Sequence, residues 1–201
     1  MSHSPTAARP PGPLVEATRR LERAEALDGL VERYASLAAP LERWRGSELL
    51  RSGLIGHALH PLLTDLPIGF WTAATALDLR GRSEDRAASR WLVGAGLAAV
   101  GPTVVTGLAE WARTDRASQR VGAVHAALNV VATTLYATSF AARSRRRHGL
   151  GVAAALAGAA VTGASGYLGG HLTTARKVGS RDPAFGQDDV TDLGGAPVAS
   201  P

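Results

Sequence analysis

The sequence of 201 residues contains no cysteine, and only 5% of its residues are aromatic. Without cysteine, the chain can hold no disulfide, thiolate metal site or iron–sulfur cluster of its own, and it has no CxxCH motif for covalent haem. It also lacks an HExxH motif and a nucleophile placed beside a base, so nothing supports a hydrolase. The sequence therefore favours an accessory or redox subunit over a stand-alone enzyme.

Large side chains are scarce, whereas alanine is abundant and there are 23 glycines. Small residues of this kind let membrane helices approach each other closely. The first thirty residues have no apolar segment typical of a signal peptide, so insertion would depend on later apolar runs. The net charge of +5 comes mainly from arginines that flank those runs. This pattern favours contact with a lipid bilayer, and we expect no nucleic acid partner.

Three runs contain no charged residue and are long enough to cross about 30 Å of hydrocarbon as helices. They cover residues 91–109, 121–142 and 149–175. A fourth run, 62–79, has an aspartate near each end, and we expect it to cross as well. Trp91 and Trp111 bracket the second span and are predicted to lie at opposite interfaces. The predicted fold class is all-α: a four-helix transmembrane up-down bundle with an N-terminal amphipathic helix.

The composition divides the chain into four parts. Residues 1–13 are rich in proline and predicted to be disordered. Residues 14–50 form an amphipathic helical segment, because apolar side chains recur on one helical face from Leu21 to Leu41. The four-span domain covers 51–181, and 182–201 is predicted to be a flexible tail.

The last span carries a stripe of small residues at every fourth position, which predicts close packing against a neighbouring helix. The stripe consists of Ala154, Gly158, Thr162, Gly166 and Gly170.

An up-down path through four spans brings the intramembrane polar residues to one side of the membrane. Four histidines are candidate ligands for a cofactor or metal, and three further residues are candidate polar support. The histidines are His57, His60, His125 and His171, and the support is Asp65, Glu110 and Asn129. We expect at least two of the histidines to point into one pocket.

Each of these residues also has a simpler interpretation. The histidines at the span ends can lie among lipid headgroups, Asp65 can cap a helix N-terminus, and Glu110 can pair with Arg113. His125 is the hardest to explain in this way. It lies about one turn inside an apolar run, with Asn129 on the same face, and needs a hydrogen-bond partner or a ligand.

Four stretches from these regions resemble the successive signatures of domain-of-unknown-function family 2231. They are GHALHPLLTDLPIGFW, TGLAEW, RVGAVHAALN and GYLGGHL. The resemblance implies a bacterial four-span membrane protein of a kind common in actinobacteria, and some relatives continue into a Rieske iron–sulfur domain. Two features depart from the family pattern: Ala58 replaces the usual proline between the histidines, and TTARKVGS follows the last histidine.

Three functions remain open on this basis. In the first, the chain is a redox membrane subunit whose histidines hold haem b or a metal ion, with a Rieske-type or other redox protein as its partner. In the second, it is a cofactor-free structural or assembly protein with an internal polar lock. In the third, the cluster transfers protons or ions, which would need polar residues across the full depth of the bundle. We predict a multi-pass protein of the cell membrane with both termini in the cytoplasm.

Overall fold

The computed structural model describes residues 11–51 and 55–180, and these residues fold almost entirely into helices. The predicted all-α class is therefore confirmed. The predictions for residues 1–10 and 182–201 lie outside the described residues. The seven α-helices are α1 Pro13–Arg23, α2 Asp28–Arg43, α3 Ser47–Leu50, α4 Leu59–Arg80, α5 Arg86–Trp111, α6 Arg116–Ser144 and α7 His148–Gly170.

The four long helices form two antiparallel hairpins. The first pairs α4 with α5 and the second pairs α6 with α7, and these are the most extensive contacts in the structure. Contacts between α5 and α6, and fewer between α4 and α7, join the hairpins. Because each connection between successive long helices is a short turn, the helices alternate in direction. One end of the bundle therefore holds the first residues of α4 and α6 and the last residues of α5 and α7. We call this the histidine end.

The two hairpins repeat each other along the chain. Trp71 and Tyr136 occupy equivalent positions 65 residues apart in α4 and α6, and their rings stack with centroids 3.8 Å apart. Asp78 and Arg143 are also 65 residues apart, and they form an ion pair between the same helices. Contacts between equivalent residues are a property of twofold symmetry. The hairpins are therefore related by a pseudo-twofold axis that passes through these two contacts.

The second helices of the hairpins also carry glycines in matching places, although these pairs are 62 residues apart rather than 65. Gly96 of α5 faces the ring of Trp71, and Gly158 of α7 faces the ring of Tyr136. An added Cβ would lie 2.2 Å from the Trp71 Nε1 atom and 3.0 Å from the Tyr136 Cε2 atom. Each glycine thus makes room for the aromatic ring at the centre of its hairpin.

Three helical segments among the described residues are long and apolar enough to cross a membrane: Ser83–Trp111, Arg116–Ser144 and His148–Ala175. The segment containing α4 is not among them, because it includes two aspartates and two prolines. It nevertheless exposes large apolar side chains, among them Leu62, which is 58% exposed, and Leu79, which is 75% exposed. The fourth crossing therefore stays a prediction.

The N-terminal segment differs from the single amphipathic helix that the sequence predicted. A 3-10 turn, Glu25–Leu27, separates α1 from α2. Through this break α1 packs against α6, whereas α2 contacts both α5 and α6. Val31 and Ala38 of α2 are fully buried in a cluster with Trp111. The Trp111 ring is buried by these contacts, and its Nε1–H donates to the Gln119 carbonyl over 3.0 Å, whereas its predicted position at a membrane interface stays a prediction.

The prediction that the whole small-residue stripe on α7 packs against a neighbouring helix is only partly correct. Ala154 and Gly158 are buried as predicted, but an added Cβ at Gly166 or Gly170 would contact nothing. A four-residue step on an α-helix rotates about 40° beyond a full turn, so a strict four-residue stripe leaves the contact face. The buried face instead continues through Ser165, Leu168 and Leu172.

Candidate functional site

His60 joins the two helices of the first hairpin. It lies in the first turn of α4, and its Nδ1–H donates to the Thr103 carbonyl of α5 over 3.0 Å. Gly107, one turn beyond Thr103, provides space for the ring, because an added Cβ would lie 2.6 Å from the His60 Cε1 atom. Thr103 completes the link by donating its hydroxyl to the Leu63 carbonyl over 3.0 Å.

His125 makes the matching link in the second hairpin. Its Nδ1–H donates to the Ser165 carbonyl of α7 over 2.8 Å, and Gly169, one turn beyond Ser165, faces the ring. The Asn129 amide donates to the His125 Nε2 atom over 3.0 Å, and Ser165 donates its hydroxyl to the Asn129 Oδ1 atom over 2.9 Å. Both imidazole nitrogens are therefore satisfied within the protein.

The other candidate residues are distributed over separate contacts. The His171 Nε2 atom lies 3.0 Å from a Glu22 carboxylate oxygen of α1. Glu110 is buried and accepts the backbone N–H of Ser180 over 2.9 Å, rather than pairing with Arg113 as its simpler interpretation supposed. Asp65 is exposed on α4 and makes no hydrogen bond or ion pair with another described residue.

The structure brings some predicted site residues together at the histidine end and leaves others apart. His60 lies close enough to interact electrostatically with His125 and Glu110. His57 is exposed, just before α4. Within residues 11–51 and 55–180, no group of three or more His, Asp or Glu side chains is arranged to hold a metal ion. The side chains mainly contact neighbouring helices, and a pocket shared by at least two of the histidines stays a prediction.

A second polar network lies at the opposite end of the bundle, and the sequence analysis missed it. Arg143 and Asp78 have side chains only 1% and 2% exposed, and the Arg143 Nη1 atom donates to Asp78 over 2.9 Å. Ser89 and Ser139 complete the network through hydrogen bonds to these two residues. Asp78 and Arg143 are separated along the chain by the same number of residues as His60 and His125. This equal separation is the sequence signal that could have revealed the network.

Ion pairs attach the N-terminal helices and the turn before α6 to the bundle. Arg120 donates to both carboxylate oxygens of Asp28, and this hydrogen bonding, with the charge of Arg116, holds the Asp28 pKa below its usual value. Asp115 caps α6 by accepting the Ser118 N–H over 3.0 Å. Burial acts to raise the Asp115 pKa, but the bonds from Ser118 and the charge of Arg176 outweigh it, so this pKa is lowered.

Comparisons with known proteins identify the chain at the level of family. No curated protein matches it, and no solved structure matches it. One family model, described as predicted membrane protein (DUF2231), matches residues 56–182. The matched region contains all four long helices and both histidine links. This protein therefore belongs to the predicted membrane protein family DUF2231.

Proposed function

We propose that the protein is a structural or assembly component of the membrane whose histidines act as interhelical links rather than as cofactor ligands. One observation carries this proposal: His60 and His125 each donate Nδ1–H to a backbone carbonyl of the partner helix in their own hairpin. Such bonds within a bundle stabilise a particular helix pairing, because the apolar surroundings offer no competing water.

The surrounding contacts fit this role. Each ring lies against a glycine, so the helices approach closely where the imidazole joins them. The second polar network fixes the opposite end of the bundle through Asp78 and Arg143. A bundle held at both ends is a rigid platform, and exposed apolar side chains along it provide the lipid-facing surface.

A haem-binding redox subunit is the second candidate function, and one feature favours it. Donation from Nδ1 leaves Nε2 of His60 as the basic nitrogen, the state that haem iron requires. The same tautomer occurs at His125, but its Nε2 atom accepts the Asn129 amide, so ligation there requires Asn129 to move. A Rieske-type or other redox partner belongs to this candidate.

An absorption spectrum of the full-length protein, purified in an uncharged detergent, separates the two candidates when combined with metal analysis of the same sample. The structural role predicts no Soret band and no stoichiometric metal. It also predicts that His60→Ala and His125→Ala lower thermal stability, whereas Thr138→Ala, on an exposed face of α6, serves as the control. A Soret band that disappears in either histidine variant would contradict the structural role and support haem ligation.

A further inference from the structure

A cavity of about 330 Å³, lined largely by charged residues, lies at the histidine end, where α5 and the helical turn His171–Ala175 after α7 finish and α6 begins. Its walls carry four basic side chains, three acidic side chains and the Ser180 backbone. The basic residues are Arg51, Arg113, Arg176 and Lys177, and the acidic residues are Glu48, Glu110 and Asp115.

Arg51 is the buried cation of this cavity, with a side chain only 1% exposed. Its Nε–H donates to the Ala109 carbonyl over 3.1 Å, and its Nη1 atom donates to Ser47 and to Glu48. The Nη2 atom is buried and has no hydrogen-bond partner among the described residues. A buried donor without an acceptor destabilises the fold, so this atom calls for a ligand oxygen.

Each acidic side chain of the cavity already has partners. Glu110 is occupied by Ser180, and Asp115 by Ser118 and Arg176. Glu48 contacts Arg113 over 2.9 Å, but both side chains are more than half exposed, so water weakens this pair.

Lys177 lines the same cavity and forms no ion pair with a described residue. Among the described residues that line the cavity, four cations against three carboxylates leave one positive charge in excess. Arginine and lysine together provide the forked and point-charge donors that bind phosphate oxygens.

We propose that this cavity binds the phosphate group of an anionic ligand, either a phospholipid headgroup or a soluble phosphate. The Arg51 Nη2 atom is the deep donor, and Arg113 and Lys177 are the donors at the rim. The cavity adjoins the ends of three segments able to cross a membrane, which is where a lipid phosphate lies. Basic pockets at such positions bind anionic headgroups. This site does not depend on the structural role proposed above.

The test measures thermal unfolding of the full-length protein in an uncharged detergent. Three additions are compared: phosphatidylglycerol, phosphatidylcholine, and inorganic phosphate against chloride at equal ionic strength. A ligand that binds only the folded state raises the midpoint with its concentration, which yields an apparent Kd. A rise with phosphatidylglycerol alone identifies a lipid headgroup, and a rise with inorganic phosphate as well identifies a site open to soluble phosphate.

Variants locate the effect in the cavity. Lys177→Gln and Arg113→Gln should each weaken binding about fivefold, as expected for the loss of a basic group near a lipid surface. Arg51→Gln should weaken binding more strongly. Arg145→Gln, an exposed arginine at the opposite end of the bundle, is the matched control and should bind as the wild type does. If Arg51→Gln fails to fold, the two rim variants decide. No stabilisation by either phosphate source, or equal stabilisation of the rim variants and the wild type, would overturn the proposal.

Discussion

The His125 imidazole is held on both nitrogens, by the Ser165 carbonyl and by the Asn129 amide. Its position inside an apolar run predicted a need for partners, and the structure provides them from α6 and α7. The sequence could not name Ser165 as the acceptor, because a serine forty residues away carries no signal of contact. At the scale of residues, the need of His125 for hydrogen-bond partners could be predicted, whereas its partner on α7 could not.

We predict that His125→Ala lowers the free energy of unfolding by about 1 kcal/mol, because polar contacts between membrane helices contribute roughly 0.6–2 kcal/mol. The loss follows because Asn129 and the Ser165 carbonyl lose their shared partner. Unfolding in detergent micelles, followed by circular dichroism, measures it. In a double-mutant cycle with Asn129→Ala, whose amide donates to the His125 Nε2 atom, the two losses should be less than additive. Strict additivity would contradict the contact between His125 and Asn129.

Two glycines of α7 offer a matched pair of substitutions. Gly158→Leu places side-chain atoms where the Tyr136 ring lies, so the helices must separate and the melting temperature should fall. Gly166→Leu enters open space on the exposed face and should leave the melting temperature nearly unchanged. Equal losses in both variants would mean that the whole stripe packs, as the four-residue spacing alone predicted.

At the scale of elements, the apolar runs were predictable because their length and lack of charge follow from the bilayer itself. The break between α1 and α2 was not, since the apolar spacing continues across Ala24. Tertiary contacts determine it: α1 packs on α6, and α2 reaches Trp111. The same contacts bury the Trp111 ring.

We predict that Asp28→Asn loosens α2 from the bundle, because Arg120 and Arg116 lose their charged partner. Amide hydrogen exchange over residues 28–43 should become faster, while exchange in the four long helices should stay unchanged. Glu32→Gln provides the control, because Glu32 is exposed and its carboxylate lies 3.7 Å from Arg116, farther than the 3.2 Å between Asp28 and Arg116.

The Asp28 attachment should also depend on pH. The Asp28 pKa is lower in the folded protein than its ordinary value of 3.8. Its stabilisation is therefore fully present above about pH 4 and is lost as the pH falls through the lowered pKa. Hydrogen exchange of α2, measured as the pH is lowered below about 4, should show release only under acidic conditions, and release near neutral pH would contradict this assignment.

For the whole molecule, the absence of cysteine makes the predicted topology directly testable, since an introduced thiol has no background. With four spans and cytoplasmic termini, Ser83→Cys and Ser144→Cys should react with an impermeant thiol reagent outside intact cells. Ser36→Cys should react only after the membrane is opened. If α4 does not cross, Ser36→Cys and Ser83→Cys will label on the same side.

The pseudo-twofold axis has a consequence for how such a bundle can arise. Equivalent positions on the axis carry Asp78 and Arg143, which are opposite charges. Two identical copies of the first hairpin would bring aspartate against aspartate, and two copies of the second would bring arginine against arginine. Each self-pairing buries like charges, whereas the mixed pair cancels them. The charges therefore favour pairing of a first hairpin with a second hairpin and oppose pairing of two identical hairpins.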